Sequence, residues 1–444
     1  MCSMLALLVP APVYPQQEPV DRIMELMTVE QRIGQLFMVD FVGTDTGDDS
    51  GLFQLILQYK VGAVLISESR GNIINQGEEP LARQVSRLTN ELQSLAYQAS
   101  GQVIEGDGTF VPLFIALEQE GNGFPHTQLR SGFTPVLSNM ALGASWSNDQ
   151  ARATGAIVGQ ELASVGVNML LGPVVDVLES PRSGGRGNLG VRTFGGNPYW
   201  VGGLARSYVR GVHEGSEGRV ATIAKYFPGR GSSGRDPESE VATVDKTLEE
   251  MRAGELVPFT ALTAYAASDP LSTTDGLMVG HIRCQAFQQG MRFFSDPLTL
   301  DEGGLRVAMD LPEFSEWHSA GLLVSDFLGA DSIKEHRDPW GIGFPHFRIA
   351  QQALVAGNDI LPLVQFSLSD DWTADAFPKI VATIERFQER YETDGTFRLW
   401  VDQAVRKILQ AKLRLYGEPS LERVLVDEDA AASSVGGGVD AVRQ

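Results

Sequence analysis

Cysteine is nearly absent from this 444-residue chain, with Cys2 and Cys284 its only two copies. That excludes a disulfide framework and leaves the redox compartment open. Basic residues are in deficit, 35 Lys and Arg against 56 Asp and Glu, for a net charge of −21. Such an acidic chain is repelled by the phosphates of nucleic acid and by anionic membrane surfaces, so neither is expected as a partner. No apolar run reaches the roughly 18 residues a membrane span needs. The six histidines (126, 213, 281, 318, 336, 346) form no H-E-x-x-H pair and no close cluster with cysteine, so no metal and no cofactor is expected. A dinucleotide fingerprint is missing after the first apolar run. The stretch Gly229 to Asp236, GRGSSGRD, fails as a phosphate loop because Arg235 and Asp236 stand where Lys and Ser/Thr are required. No repeat of solenoid period is found.

What is present is an ordinary globular composition, 43% hydrophobic and 20% charged. Eight apolar runs read as strands: Gln35 to Gly43, Val61 to Ser67, Val111 to Glu120, Val167 to Val177, Val220 to Gly229, Gly276 to Ile282, Gly321 to Ala330 and Gly357 to Phe366. Amphipathic stretches separate most of them, among them Asp149 to Ser164, Pro198 to His213, Leu248 to Ala267 and His346 to Ala356. Near-continuous apolar strands alternating with helices imply a parallel sheet covered on both faces. Eight such units predict a single α/β domain, a closed (β/α)8 TIM-type barrel over residues 20–417, with an open doubly wound sheet as the alternative. A last helix is expected over Trp400 to Tyr416, ending at Gly417. Residues 418–444 are expected to be a disordered tail, since Asp427 to Gln444 is rich in Ala, Ser, Gly and Asp. Residues 1–19 carry a short apolar core, Met4 to Val9, then Pro and Ala, which reads as the back half of a secretory signal. Export to the cell envelope or beyond is the expectation, with a cytoplasmic protein as the alternative; oligomeric state is left open.

In a barrel of this kind, residues at the C-terminal ends of the strands converge on one mouth. Those ends carry Glu118 and Glu120, Asp176 and then Arg192, Lys225, His281 and Asp326, and the charged loop Arg230 to Glu240 joins them. Carboxylates with one Lys, one Arg and one His around a cup suit an uncharged polyhydroxylated molecule such as a sugar. Asp326 is the sharpest position. It closes the apolar or small run GLLVS, where a carboxylate must be hydrogen-bonded, as a helix N-cap for example, or do chemistry. Such an aspartate can attack an anomeric carbon if a second group protonates the leaving oxygen.

Several segments carry a family resemblance: MTVEQRIGQLFMVDFVG (27–43), LEQEG (117–121), GFTPVLSNMALGAS (132–145), VRTFG (191–195), AKYFPGRG (224–231), LVPF (256–259), MVGHI (278–282) and LVSDFLGA (323–330). Together they resemble glycoside hydrolase family 3, in particular its single-domain β-N-acetylglucosaminidases, which lack the second α/β sandwich domain of longer members. The resemblance implies that Asp326 is the nucleophile of a retaining mechanism through a covalent glycosyl-enzyme. It further implies that Arg192, Lys225 and His281 line the sugar site.

The chain departs from the family pattern at four places. Glu118 replaces the Asp of D-Q-E-G, which extends the carboxylate by one methylene. Tyr226 replaces the His of K-H-F-P-G, and Arg230 the second His of F-P-G-H-G. The region after Glu120 is about two residues longer, so either Gln128 or Arg130 supplies the expected sugar-binding arginine position. The fourth departure lies where the family's D-S-H supplies an Asp-His acid/base pair: here the residues are Asp236-Pro237-Glu238, with no histidine between His213 and His281. Glu238 is then the candidate acid/base, with Asp236 beside it in the catalytic loop and Glu240 as a further candidate. The alternative is a catalytically silent sugar-binding protein on the same barrel.

Overall fold

The computed structural model describes residues 17–101, 109–179, 189–235, 237, 239–292 and 294–437. Eight parallel strands form one sheet: β1 (Phe37–Asp40), β2 (Ala63–Leu65), β3 (Phe114–Leu117), β4 (Met169–Leu170), β5 (Ala221–Phe227), β7 (Gly276–Val279), β9 (Leu322–Ser325) and β10 (Leu361–Leu363). Each lies within one of the eight expected runs. Every residue of these strands is buried, which is why they read as continuous apolar runs and not as alternating ones. β10 pairs with β1, while the parallel bridge of Val324 to Ile360 and the bonds Ser325 N–H to Ile360 O (3.0 Å) and Leu328 N–H to Pro362 O (3.0 Å) join β9 to β10. The sheet therefore closes on itself, as the barrel reading requires.

Two short strands outside the barrel, β6 (Ala242–Val244) and β8 (Ile282–Cys284), pair in parallel. They tie the end of the long loop after β5 to the segment that follows β7, and so fix where that loop returns.

The helices fall largely where periodicity puts them: Asn148–Ser164, Pro198–Gly215 and His346–Ala356. The first two of these touch backbone to backbone. A Cβ on Gly155 would lie 2.2 Å from the Tyr208 carbonyl oxygen, so the contact is closed to any larger residue. The expected helix Leu248 to Ala267 is instead two helices, Leu248–Ala253 and Leu256–Thr263, broken at Gly254. The closing helix is longer than expected, Gly395–Tyr416, because Asp394 caps its start by accepting from the Thr396 and Phe397 amides.

The expected tail needs correction over its described part. Leu421–Val424 and Glu428–Ser434 are helical; Asp427 caps the second, Ala431 is buried, and Asn90 exchanges hydrogen bonds with Val426. A capped alanine-rich turn has the composition of a low-complexity tail, and packing on the helix Leu81–Ala99 separates the two. None of the described helices is long and apolar enough to cross a membrane.

Candidate active site

The strand ends surround a cavity of about 340 Å³, lined among others by Asp40, Arg70, Glu118, His126, Gln128, Tyr226, Arg230, Pro237, His281 and Asp326. Its volume is that of an ordinary small-molecule site.

Asp326 leaves β9 with its amide donating to the Val279 carbonyl (2.9 Å), so the ladder to β7 holds it in place. Its Oδ1 accepts the Phe327 amide at 2.9 Å, and it forms no ion pair among the described residues. The next helix, Asp331–Arg337, starts after Ala330, so Asp326 does not cap it. A half-buried, unpaired carboxylate at a sugar-sized cavity is available for chemistry.

His281, buried beside it, directs Nε2 to the Phe327 carbonyl (2.8 Å) and Nδ1 to Thr299 Oγ1 (3.1 Å). A carbonyl can only accept, so Nε2 carries the proton. Burial pushes its pKa down, against the raising effect of the Asp326 charge, which makes the ring a neutral donor that orients the segment carrying Asp326.

β3 is followed by Glu118 and Glu120, four strands around the barrel from β9. The Lys225 ammonium from β5 bonds Glu118 and lies 2.9 Å from Glu120. Arg192 holds Glu120 through Nε (2.7 Å) and Nη2 (3.0 Å) and also donates to Tyr226 Oη at 2.8 Å. Burial pushes the Glu118 carboxyl up, yet the Lys225 charge, His126 and Arg192 outweigh it and hold Glu118 well below the usual carboxylate range. Burial likewise disfavours charge on Lys225, but the two glutamates keep it charged. The four charges sum to zero, the condition for burying them at all.

Sequence-based placement of these residues is partly met. Glu118, Tyr226, His281 and Asp326 line the cavity. Arg192 and Lys225, 2% and 0% exposed, lie behind that lining and are directed at the glutamates. Arg130 is not at the cavity: it is exposed and paired to Glu68 at 2.5 Å, and Gln128 takes the inward position. Asp236 and Glu238 lie outside the described residues, although Pro237 between them lines the cavity. Glu240 is exposed and paired with Arg235.

Three lining residues were not read from the sequence. His126 directs Nδ1 at Glu118 Oε2 (3.1 Å) and arrives through the lengthened segment after Glu120. Asp40 ends the run FMVD as Asp326 ends GLLVSD, and Arg70 answers it at 2.7 Å. Glu118, Glu120 and His126 also bring three ligand-type atoms within 4.8 Å of one another. The positive charge that a divalent ion would supply there already comes from Lys225 and Arg192.

Comparison with known proteins agrees with this architecture. The sequence profile described as the glycosyl hydrolase family 3 N-terminal domain matches residues 28–410. A protein named β-hexosaminidase A, of Pseudoalteromonas piscicida, is 29% identical over 278 residues, 59% of this chain and 42% of that protein. The β-hexosaminidase of Alkalilimnicola ehrlichii is 30% identical over 261 residues, 57% of this chain and 65% of the relative. The chain thus spans less than two thirds of the length of these curated relatives. Among solved structures, a family 3 β-N-acetylglucosaminidase from a Paenibacillus species superposes with a TM-score of 0.71 at 27% identity, covering 89% of this chain and 64% of that one. The β-N-acetylhexosaminidase of Beutenbergia cavernae, at 23% identity, shares the fold with a TM-score of 0.65 over 87% of this chain and 98% of its own. With the profile matched along most of its length and its eight-stranded barrel in place, the chain belongs to glycoside hydrolase family 3.

Proposed function

We propose that this chain is a retaining glycoside hydrolase that removes β-linked terminal sugars, N-acetylglucosamine foremost. The observation that carries the reading is Asp326: an unpaired carboxylate in a cavity of sugar size, across the barrel from a charge-neutral cluster of Glu118, Glu120, Lys225 and Arg192. In the first step Asp326 Oδ attacks the anomeric carbon, the bond to the glycosidic oxygen breaks, and Glu238 delivers a proton to that leaving oxygen. In the second, Glu238 takes a proton from water, the water oxygen attacks the same carbon, and Asp326 is released as carboxylate. Two inversions give net retention. Pro237, which stands between Asp236 and Glu238 in the chain, is among the lining residues, and this supports the assignment. Glu118 offers a fixed acceptor to sugar hydroxyls, because its neighbours keep it ionised. The names of the relatives support N-acetylglucosamine as the sugar.

A second reading, a sugar-binding protein that has lost its acid, draws on the missing histidine between His213 and His281. Aryl β-N-acetylglucosaminide and aryl β-glucoside substrates separate the two. Aryl alcohol release that vanishes in Asp326→Ala is the expected result. Sugar binding without release from either substrate, from acid to neutral pH, overturns hydrolysis in favour of the binder.

A further inference from the structure

Arg230 has hydrogen-bonding capacity that the described residues around it do not use. The other cationic or imidazole groups lining the cavity are committed: Arg70 donates to Asp40 (2.9 Å), His126 faces Glu118 (3.1 Å), and His281 faces Phe327 and Thr299. Arg230 is only 6% exposed and lines the same cavity, yet its Nε and Nη2 are buried without an acceptor among the described residues. Among the described residues the nearest carboxylate oxygen, Asp176 Oδ2, is 3.8 Å from Nε, beyond hydrogen-bond length, and itself has no partner there. Burial raises Asp176 to about 6 despite the Arg230 charge, so its countercharge is withdrawn in mildly acidic solution.

The backbone holds this arginine in place. Gly231 is seated so tightly that a Cβ there would lie 1.8 Å from the Val177 carbonyl oxygen, and the Arg230 amide donates to Asp176 Oδ1 at 2.6 Å. The guanidinium carbon sits 3.5 Å from the centroid of the Tyr226 ring. Nε and Nη2 are closed off from the open cavity in this structure, so engaging a ligand there requires a change in the Arg230 side-chain torsions. A side-on fork of Nε–H and Nη2–H matches the two oxygens of an oxyanion, which a lysine ammonium or a neutral imidazole does not.

We propose that Arg230, stacked on Tyr226 at the cavity wall, is an oxyanion-binding residue, taking either a carboxylate carried by the glycoside or free phosphate. The inference rests on the reading of this cavity as a sugar site and deepens it, because it adds an acidic ligand to a site otherwise suited to neutral hydroxyls.

The test uses equilibrium binding, so it does not depend on turnover. Calorimetry compares the full chain with Arg230→Gln and Arg230→Lys against a phenyl 1-thio-β-N-acetylglucosaminide, the same compound with a carboxylate on the phenyl ring, phenyl 1-thio-β-glucuronide, and inorganic phosphate as competitor. Because the Asp176 bond uses the Arg230 amide, both variants should fold, and a thermal melt checks that. The expected result is that wild type binds one of the carboxylate ligands about tenfold or more tightly than Arg230→Gln does, while the neutral ligand is held equally by both. Arg230→Lys should recover only part of the difference. Competition by phosphate that is lost in Arg230→Gln, without a gain for either carboxylate, assigns the free ion as the source. Equal behaviour of wild type and Arg230→Gln in every arm overturns the proposal. Hydrolysis that fails while the Arg230-dependent binding persists overturns only the enzymatic reading.

Discussion

The ammonium of Lys225, which has no exposed surface, meets the carboxylate of Glu118 behind the cavity wall, and the same nitrogen reaches Glu120 at 2.9 Å. Two strand ends that are distant in sequence are thereby locked by charge, and the acceptor that faces the cavity is held ionised from behind. Lys225→Met leaves the Glu118 and Glu120 charges with Arg192 and, on Glu118, the His126 ring. Chemical denaturation should show a loss of about 3–5 kcal/mol, the cost of stranding a buried charge. Adding Glu118→Gln to Lys225→Met should restore part of that stability. A double variant less stable than the single one would mean that the two groups are not coupled.

Asp326 carries no ion pair among the described residues, so its removal should touch activity far more than stability. Asp326→Ala is expected to lower kcat by at least about a thousandfold, with a melting temperature near that of wild type. A comparable fall in both would assign it a structural role.

Glu238→Gln should slow substrates with poor leaving groups by about a hundredfold or more and activated aryl glycosides much less, because only the former need a proton delivered in the first step. Glu240→Gln should change neither, since Glu240 is exposed and paired with Arg235. Equal loss for both substrate classes in Glu238→Gln would move the acid elsewhere.

Asp176 gives a pH signature of defined sign. Burial raises its folded pKa to about 6 from an ordinary 3.8, with Arg230 offsetting only part of that cost. A raised pKa means that the folded state prefers the protonated form. Its contribution is therefore fully present below about pH 4 and is lost as pH climbs through about 6. Asp176→Asn keeps an acceptor for the Arg230 amide but cannot ionise. The stability of wild type relative to this variant should fall by on the order of 2–3 kcal/mol between those pH values. A difference that is flat with pH, measured by denaturation at each pH, would show that Asp176 does not titrate in this range.

The barrel was legible because its strands are buried on both faces, so each appears in the chain as a bounded apolar run, and eight runs with helices between them leave few topologies. The place of Asp326 at the cavity was legible for a related reason: a carboxylate that ends GLLVS is costly within the buried strand and belongs at its polar end. Asp40 ends FMVD with the same local pattern, yet nothing nearby indicates that Arg70 and, 332 positions away, Trp372 Nε1 at 3.3 Å would answer it. The choice between Gln128 and Arg130 was not legible, because it depends on which way a loop side chain turns. The described part of the C-terminal tail was misread because an alanine-rich helix and a disordered segment share a composition.

By itself, the sequence determined the closed parallel barrel, the family and the strand ends at which polar groups interrupt apolar runs, since burial periodicity and the cost of an unpaired charge are local properties. The tertiary structure decided how those groups pair: Lys225 and Arg192 turned to Glu118 and Glu120, Arg70 answering Asp40, and Arg230 stacked on Tyr226 with donors to spare. Pairing depends on distances between elements far apart in the chain, and a few ångströms in a buried setting separate a neutralised carboxylate from a reactive one.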